Sequence, residues 1–167
     1  GALKADALCD RFEDGDPLDG VPMMWGQPWP GSFTPAEGGG LYATNTTGAD
    51  ALLLSQDIFN GETKVLVRAA FNNPSDTIAR ICAALHTQGD GVSYYQSYYG
   101  QLNRQGLLKI VMWPGTEQKS IELDSAYLGY APADDEEFFF ELLRCGDEIE
   151  LRVWRDSDTR PVEPQCH

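Results

Sequence analysis

The stretch FFFELLRCGDEIELRVWR, residues 138–155, reads either as a helix or as two strands, and the choice decides the fold around it. A helix would suit the preceding Asp134, Asp135, Glu136 and Glu137, whose charges favour an N-terminal dipole. Against it stand three consecutive phenylalanines and a strict alternation further on. Ile149, Leu151 and Val153 alternate with Glu148, Glu150, Arg152 and Trp154, which is the period of a strand with one face on a core. Gly146 and Asp147 between the halves are turn formers. The stretch therefore predicts a β-hairpin turning at Gly146–Asp147.

The same period recurs upstream. In KVLVRAAF, Val65, Val67, Ala69 and Phe71 oppose Lys64 and Arg68. In IARICAALH, Ala79, Ile81, Ala83 and Leu85 oppose Arg80, Cys82, Ala84 and His86. LLKIVMW sets Leu108, Ile110 and Met112 against Leu107, Lys109, Val111 and Trp113, and SIELD is expected to bury Ile121 and Leu123. Turn-forming stretches (NNPSD, TQGDG, WPGTEQ, APADDEE) separate these runs, and no convincing amphipathic helix interrupts them. Short, regularly spaced strands predict an all-β chain folded as a two-sheet antiparallel β-sandwich, one domain over residues 1–167. The first fifty residues, rich in proline and glycine, read as one edge strand around LCDRFE followed by long loops.

Twelve basic against twenty-six acidic residues give a net charge of −14. Such a surface repels polyanions, which argues against nucleic acid and anionic membrane as partners. No apolar run approaches the ~20 residues of a bilayer-spanning helix, so membrane insertion is not expected. Four cysteines, Cys9, Cys82, Cys145 and Cys166, show no C-x-x-C spacing. An even count in an acidic, lysine-poor chain points to an oxidising, extracellular or cell-surface setting. The chain starts at Gly1 rather than Met, as expected of a piece or processed form of something longer.

SYYQSYYGQL carries the densest candidate site. On a strand, Tyr94, Gln96 and Tyr98 share one face while Tyr95, Ser97 and Tyr99 share the other. One triplet must pack on the core. If the next strand pairs antiparallel through GQLNRQG, the outward triplet lies near Lys109 and Trp113. Flat aromatic rings stack on the C–H faces of sugars, and amide or guanidinium groups serve the hydroxyls. The candidate carbohydrate-binding set is therefore Tyr94, Gln96, Tyr98 and Trp113, with Arg80 and His86.

FEDGDPLDG places Glu13, Asp14, Asp16 and Asp19 around Gly15 and Pro17. Closely spaced carboxylates on a turn suit calcium, a hard cation with oxygen ligands. Asp14 and Asp16 are the leading ligands. The competing reading is a turn whose aspartates bond their own backbone.

DRFEDGDPLDG, GADALLLS leading into KVLVRAAF, the tyrosine strand followed by GLLKIVMW, and the closing LLRCGDEIELRVWRD together resemble a concanavalin-A-like or laminin-G-like jelly roll of bacterial secreted or surface proteins. The resemblance implies a structural calcium near the first strand and a final strand returning beside the first. Here that last strand would be only beginning at RPVEPQCH. Side-by-side terminal strands make Cys9 with Cys166 reasonable, leaving Cys82 with Cys145, although three pairings are possible. Enzymes of this fold carry E-x-D-x-x-E or a Gln-x-His strand. Glu122-Leu123-Asp124 is followed by Tyr127, and His86 has no glutamine two residues before it, so neither motif is complete. The expectation is an extracellular, non-catalytic module that binds a glycan or polysaccharide. Its rivals are a structural or adhesive subunit contacting neighbouring domains or subunits, and then a polysaccharide lyase or glycoside hydrolase.

Overall fold

The computed structural model describes residues 25–26, 32–36, 40–44, 54–55, 63–75, 77–88, 96–114 and 119–167. None of them is helical, and the strands are paired antiparallel. The chain divides into two compact units, Gly1–Gly61 and Glu62–His167. The first holds two small ladders, β1 (Trp25–Gly26) with β4 (Leu54–Ser55) and β2 (Ser32–Pro35) with β3 (Leu41–Thr44).

The second unit holds two larger sheets. One orders β11 (Glu148–Arg155), β10 (Phe138–Cys145) and β5 (Thr63–Ala69); the other runs β6 (Arg80–Gln88), β7 (Gln96–Asn103), β8 (Leu107–Pro114) and β9 (Ile121–Tyr127). The hairpin turning at Gly146–Asp147 is present, with Cys145 opposite Glu148 and Phe138 opposite Arg155. Phe138, Phe140, Leu142, Leu151 and Val153 of the first sheet share one buried core with Ala83, Leu85, Leu102, Leu108 and Ile110 of the second. These two sheets thus pack face to face as a β-sandwich. Gly100 sits on this inner face because a Cβ there would lie 3.0 Å from Leu151 Cδ1 and 3.1 Å from the Phe140 ring.

Burial corrects the reading of SIELD. Ile121 and Leu123 are about half exposed, while Ala126 packs against the core. For Leu123 a bulge is the cause: Ile110 lies opposite Asp124 and Val111 opposite Glu122, so Leu123 has no partner on β8. Ile121 lies opposite Met112, at the end of the outermost strand of its sheet, where the core no longer covers it.

Residues 157–167 form a strap that closes the free edge of β11. Leu151 exchanges backbone bonds with Cys166 (N–H to O, 3.0 Å) and Gln165 (whose N–H reaches Leu151 O at 3.0 Å). The Gln165 side-chain amide does the same for Val153, accepting from its N–H at 3.1 Å and donating to its carbonyl at 2.7 Å. His167 N–H then reaches Asp124 Oδ2 on β9 at 3.0 Å. The strap therefore spans from one sheet edge to the other.

The cysteine pairing Cys82 with Cys145 is not formed. Ala83 and Leu85 face the core, which turns Cys82 to the opposite side of its sheet; Leu142 does the same for Cys145 in the other sheet. Both sheets lie between the two sulfurs, and packed sheets are ~10 Å apart, well beyond disulfide reach. Cys166 is a buried thiol, and Cys9 lies outside the described residues.

Candidate ligand-binding site

The phase of β7 settles which tyrosines face outward. Tyr98 lies opposite Leu85 and Met112, in step with Gly100 and Leu102, so it is on the core side; Gln96, in the same phase at the start of the strand, is exposed. Ser97, Tyr99 and Gln101 occupy the back face, opposite Trp113, Val111 and Lys109 respectively. The expected set is thus split. Trp113 is on the back face but its strand neighbours there are Ser97 and Tyr99, not Tyr98. Arg80, exposed and opposite Asn103, and Cys82, opposite Gln101, extend the back face on β6. His86 lies on β6, and Tyr94 falls outside the described residues.

The sequence does hold a signal for this phase. Leu102 and Leu108 flank the β7–β8 turn as apolar partners, and Gly100 between two long side chains marks a close approach to the opposite sheet. Together they make even-numbered residues of β7 the inner ones, so Tyr99 and Gln101 are the candidates the pattern offers.

An ion pair lies on this face. Lys109 bonds Glu122 across the β8–β9 ladder. That hydrogen bond, with a second from Ser125, holds the Glu122 carboxyl below its ordinary range. On this face, among the described residues, two polar atoms are buried without a hydrogen-bond partner: Gln101 Oε1, an acceptor, and Trp113 Nε1, a donor. Buried polar atoms without partners are rare, and each calls for water, an ion or a ligand. Val111 between them is only 3% exposed, so contact with a ligand falls to the half-buried Tyr99, Gln101, Lys109 and Trp113 around it.

The bulge also separates the two acids of the glycosidase-like stretch. Glu122 joins Lys109 on the back face, whereas Asp124 lies opposite inward-facing Ile110 and takes the His167 N–H. Two carboxylates on opposite faces cannot flank one glycosidic bond.

The second acidic stretch is engaged internally. Asp134 pairs with Arg104 (2.5 Å), Glu136 with Arg155 (2.6 Å), and Glu137 with Arg68. Among the described residues, no group of three or more His, Cys, Asp or Glu side chains is arranged to hold a metal ion. Glu13, Asp14, Asp16 and Asp19, the expected calcium ligands, lie outside the described residues.

No protein-family model, curated protein or solved structure matches the chain.

Proposed function

We propose that the chain is a non-catalytic, extracellular binding module of the concanavalin-A-like or laminin-G-like jelly-roll kind, and that its ligand is carbohydrate. The observation that carries the reading is the pair of unpartnered buried atoms on one sheet face, Gln101 Oε1 and Trp113 Nε1. Sugar hydroxyls both donate and accept, so one ligand class suits both atoms once the Gln101 and Trp113 side chains turn outward, and the half-buried Tyr99 and Trp113 offer rings for stacking. Calcium at Glu13, Asp14, Asp16 and Asp19 belongs to the same reading and rests on the spacing of those acids.

A glycan array probed with the isolated chain, with calcium and again with chelator, tests it. Binding lost in Trp113→Ala and Gln101→Ala supports the carbohydrate reading, and loss on chelation supports the cation. Absence of binding across neutral glycans in both conditions overturns it.

A second reading, a structural or adhesive subunit, has its own support. Strand β9 pairs only with β8 among the described residues and exposes Ile121, Leu123 and Tyr127. Self-association without glycan binding would favour it.

A further inference from the structure

Strand β11 has one edge bonded to β10 and a second edge whose outward main-chain groups belong to Ile149, Leu151, Val153 and Arg155. The strap takes both groups of Leu151 and Val153 and the carbonyl of Arg155. Cys166 and Gln165 serve Leu151, the Gln165 side chain serves Val153, and Asp158 N–H reaches Arg155 O at 2.9 Å. Only the Leu151 contact resembles true strand pairing. At Val153 a side chain imitates a neighbouring strand, and the rest of the strap is held by side chains, chiefly Arg160 on Glu141 and Val162 O on Arg152 Nη2 at 3.2 Å.

The sequence of that edge is self-complementary. Laid antiparallel against itself about Leu151, the run EIELRVW sets Leu151 against Leu151, Ile149 against Val153 and Glu150 against Arg152. Leu151 points both its N–H and its carbonyl outward, so the central pair is a hydrogen-bonded one. Glu150 and Arg152 then fall at the non-hydrogen-bonded positions, where side chains lie closest, and opposite charges meet on both sides of the dyad. A two-fold axis requires one surface to be its own partner, and this edge meets that requirement in backbone polarity, apolar face and charge.

We propose that the β11 edge is a docking strand for a second copy of this chain, and that residues 157–167 compete with that copy for the same main-chain groups. With the strap in place the centre of the edge, Leu151 and Val153, is closed. With it displaced, two three-stranded sheets join through β11 into one continuous sheet, a strand-addition interface. Two chains of −14 repel at long range, so pairing strengthens as salt screens that repulsion.

Sedimentation equilibrium of the full chain at moderate salt tests the proposal. Wild type is expected to stay at 18.4 kDa. The unlatched variant Arg160→Ala/Gln165→Ala should rise with concentration towards twice that mass. Adding Glu150→Arg sets arginine against arginine and should return the mass to that of one chain. Exchanging both charges, Glu150→Arg with Arg152→Glu, should restore the dimer. A folded unlatched variant that stays at one chain's mass overturns the proposal. So does a dimer indifferent to both charge changes, since another surface would then hold it. If the double variant fails to fold by circular dichroism, Gln165→Ala alone removes only the clamp on Val153, and the same outcomes decide.

Discussion

The guanidinium of Arg160 forks onto the carboxylate of Glu141, with Nε 3.1 Å from both oxygens and Nη2 2.5 Å from Oε1. Glu141 stands on the middle strand of the three-stranded sheet, on the face away from the core, yet it is only 2% exposed. Arg152 Nη1 at 3.6 Å and Lys64 Nζ at 3.9 Å add two further cations. One buried carboxylate thus anchors the strap to the sheet and organises three positive charges.

The two partners of this fork should therefore differ in cost. Glu141→Gln leaves Arg152, 6% exposed, with Glu150 (2.6 Å) as its carboxylate partner and takes the charged acceptor from Arg160 and Lys64, so removing the buried centre of the network costs about 2 kcal/mol. Arg160 is 45% exposed on its side chain, and Arg160→Ala leaves Glu141 its other two cations, so about 1 kcal/mol is expected. Urea unfolding of both variants measures the difference. Equal losses would mean that Arg152 and Lys64 contribute nothing.

Two glycines with positive φ give a contrast of another kind. Gly106 has φ +78°, and a Cβ there would lie 2.0 Å from the Tyr130 carbonyl oxygen. Gly146 in the β10–β11 turn has φ +63° with nothing within 4 Å. Gly146→Ala meets only the left-handed backbone cost of about 1 kcal/mol. Gly106→Ala adds a main-chain collision, and thermal unfolding should show a loss of at least ~3 kcal/mol. Similar losses at both positions would show that the Tyr130 segment yields to the added methyl.

Much of this fold is legible in the sequence where alternation is undisturbed. The β10–β11 hairpin, the inner faces of β5 and β6, and Leu108 and Ile110 of β8 follow from period-2 patterning alone. Two places escape it for physical reasons. At Leu123 an added residue leaves the side chain without a partner on β8, and Ile121, opposite Met112, stands at the end of the outermost strand of its sheet, so neither gains the burial that SIELD promised. In SYYQSYYG both faces carry tyrosine and a small or amide residue, so hydrophobicity within that run carries no phase; the signal lies just beyond it, in Leu102 opposite Leu108 and in the close approach of Gly100 to Phe140. The β11 edge is a third case. Its closure depends on Gln165 folding back to Val153, and neither residue's local sequence announces that pairing.

The phase of β7 makes neighbouring tyrosines separable by readout. Tyr98, in step with Leu85 and Met112, faces the core side, so Tyr98→Ala should lower stability by about 2–3 kcal/mol and leave glycan binding intact. Tyr99 lies opposite Val111 on the back face, and Tyr99→Ala should weaken binding at least about tenfold, roughly 1.4 kcal/mol. Titration calorimetry with a glycan selected on the array, alongside urea melts, reads both. Binding lost in Tyr98→Ala and kept in Tyr99→Ala would place the ligand elsewhere.

Cys166 reports on the strap through its thiol. Burial, reinforced by the negative charge of Asp124, pushes its pKa up to about 12, against a hydrogen bond with the Ala126 backbone that acts the other way. The folded chain therefore keeps the proton over a range in which the unfolded chain, with a thiol near its ordinary value of 9.0, has released it. The stability gained from burying the neutral thiol is complete below pH ~9 and declines as the pH rises towards ~12. Thermal unfolding across that window should fall more steeply in wild type than in Cys166→Ala, which has no thiol to titrate. Alkylation offers a check at neutral pH, because the thiolate is the reactive form and requires access. Iodoacetamide followed by peptide mass analysis should label exposed Cys145 readily and reach buried Cys166 only after denaturation. Equal labelling of the two in the native protein would mean that the strap lies open in solution, and the alkaline slope of Cys166→Ala would then match that of wild type.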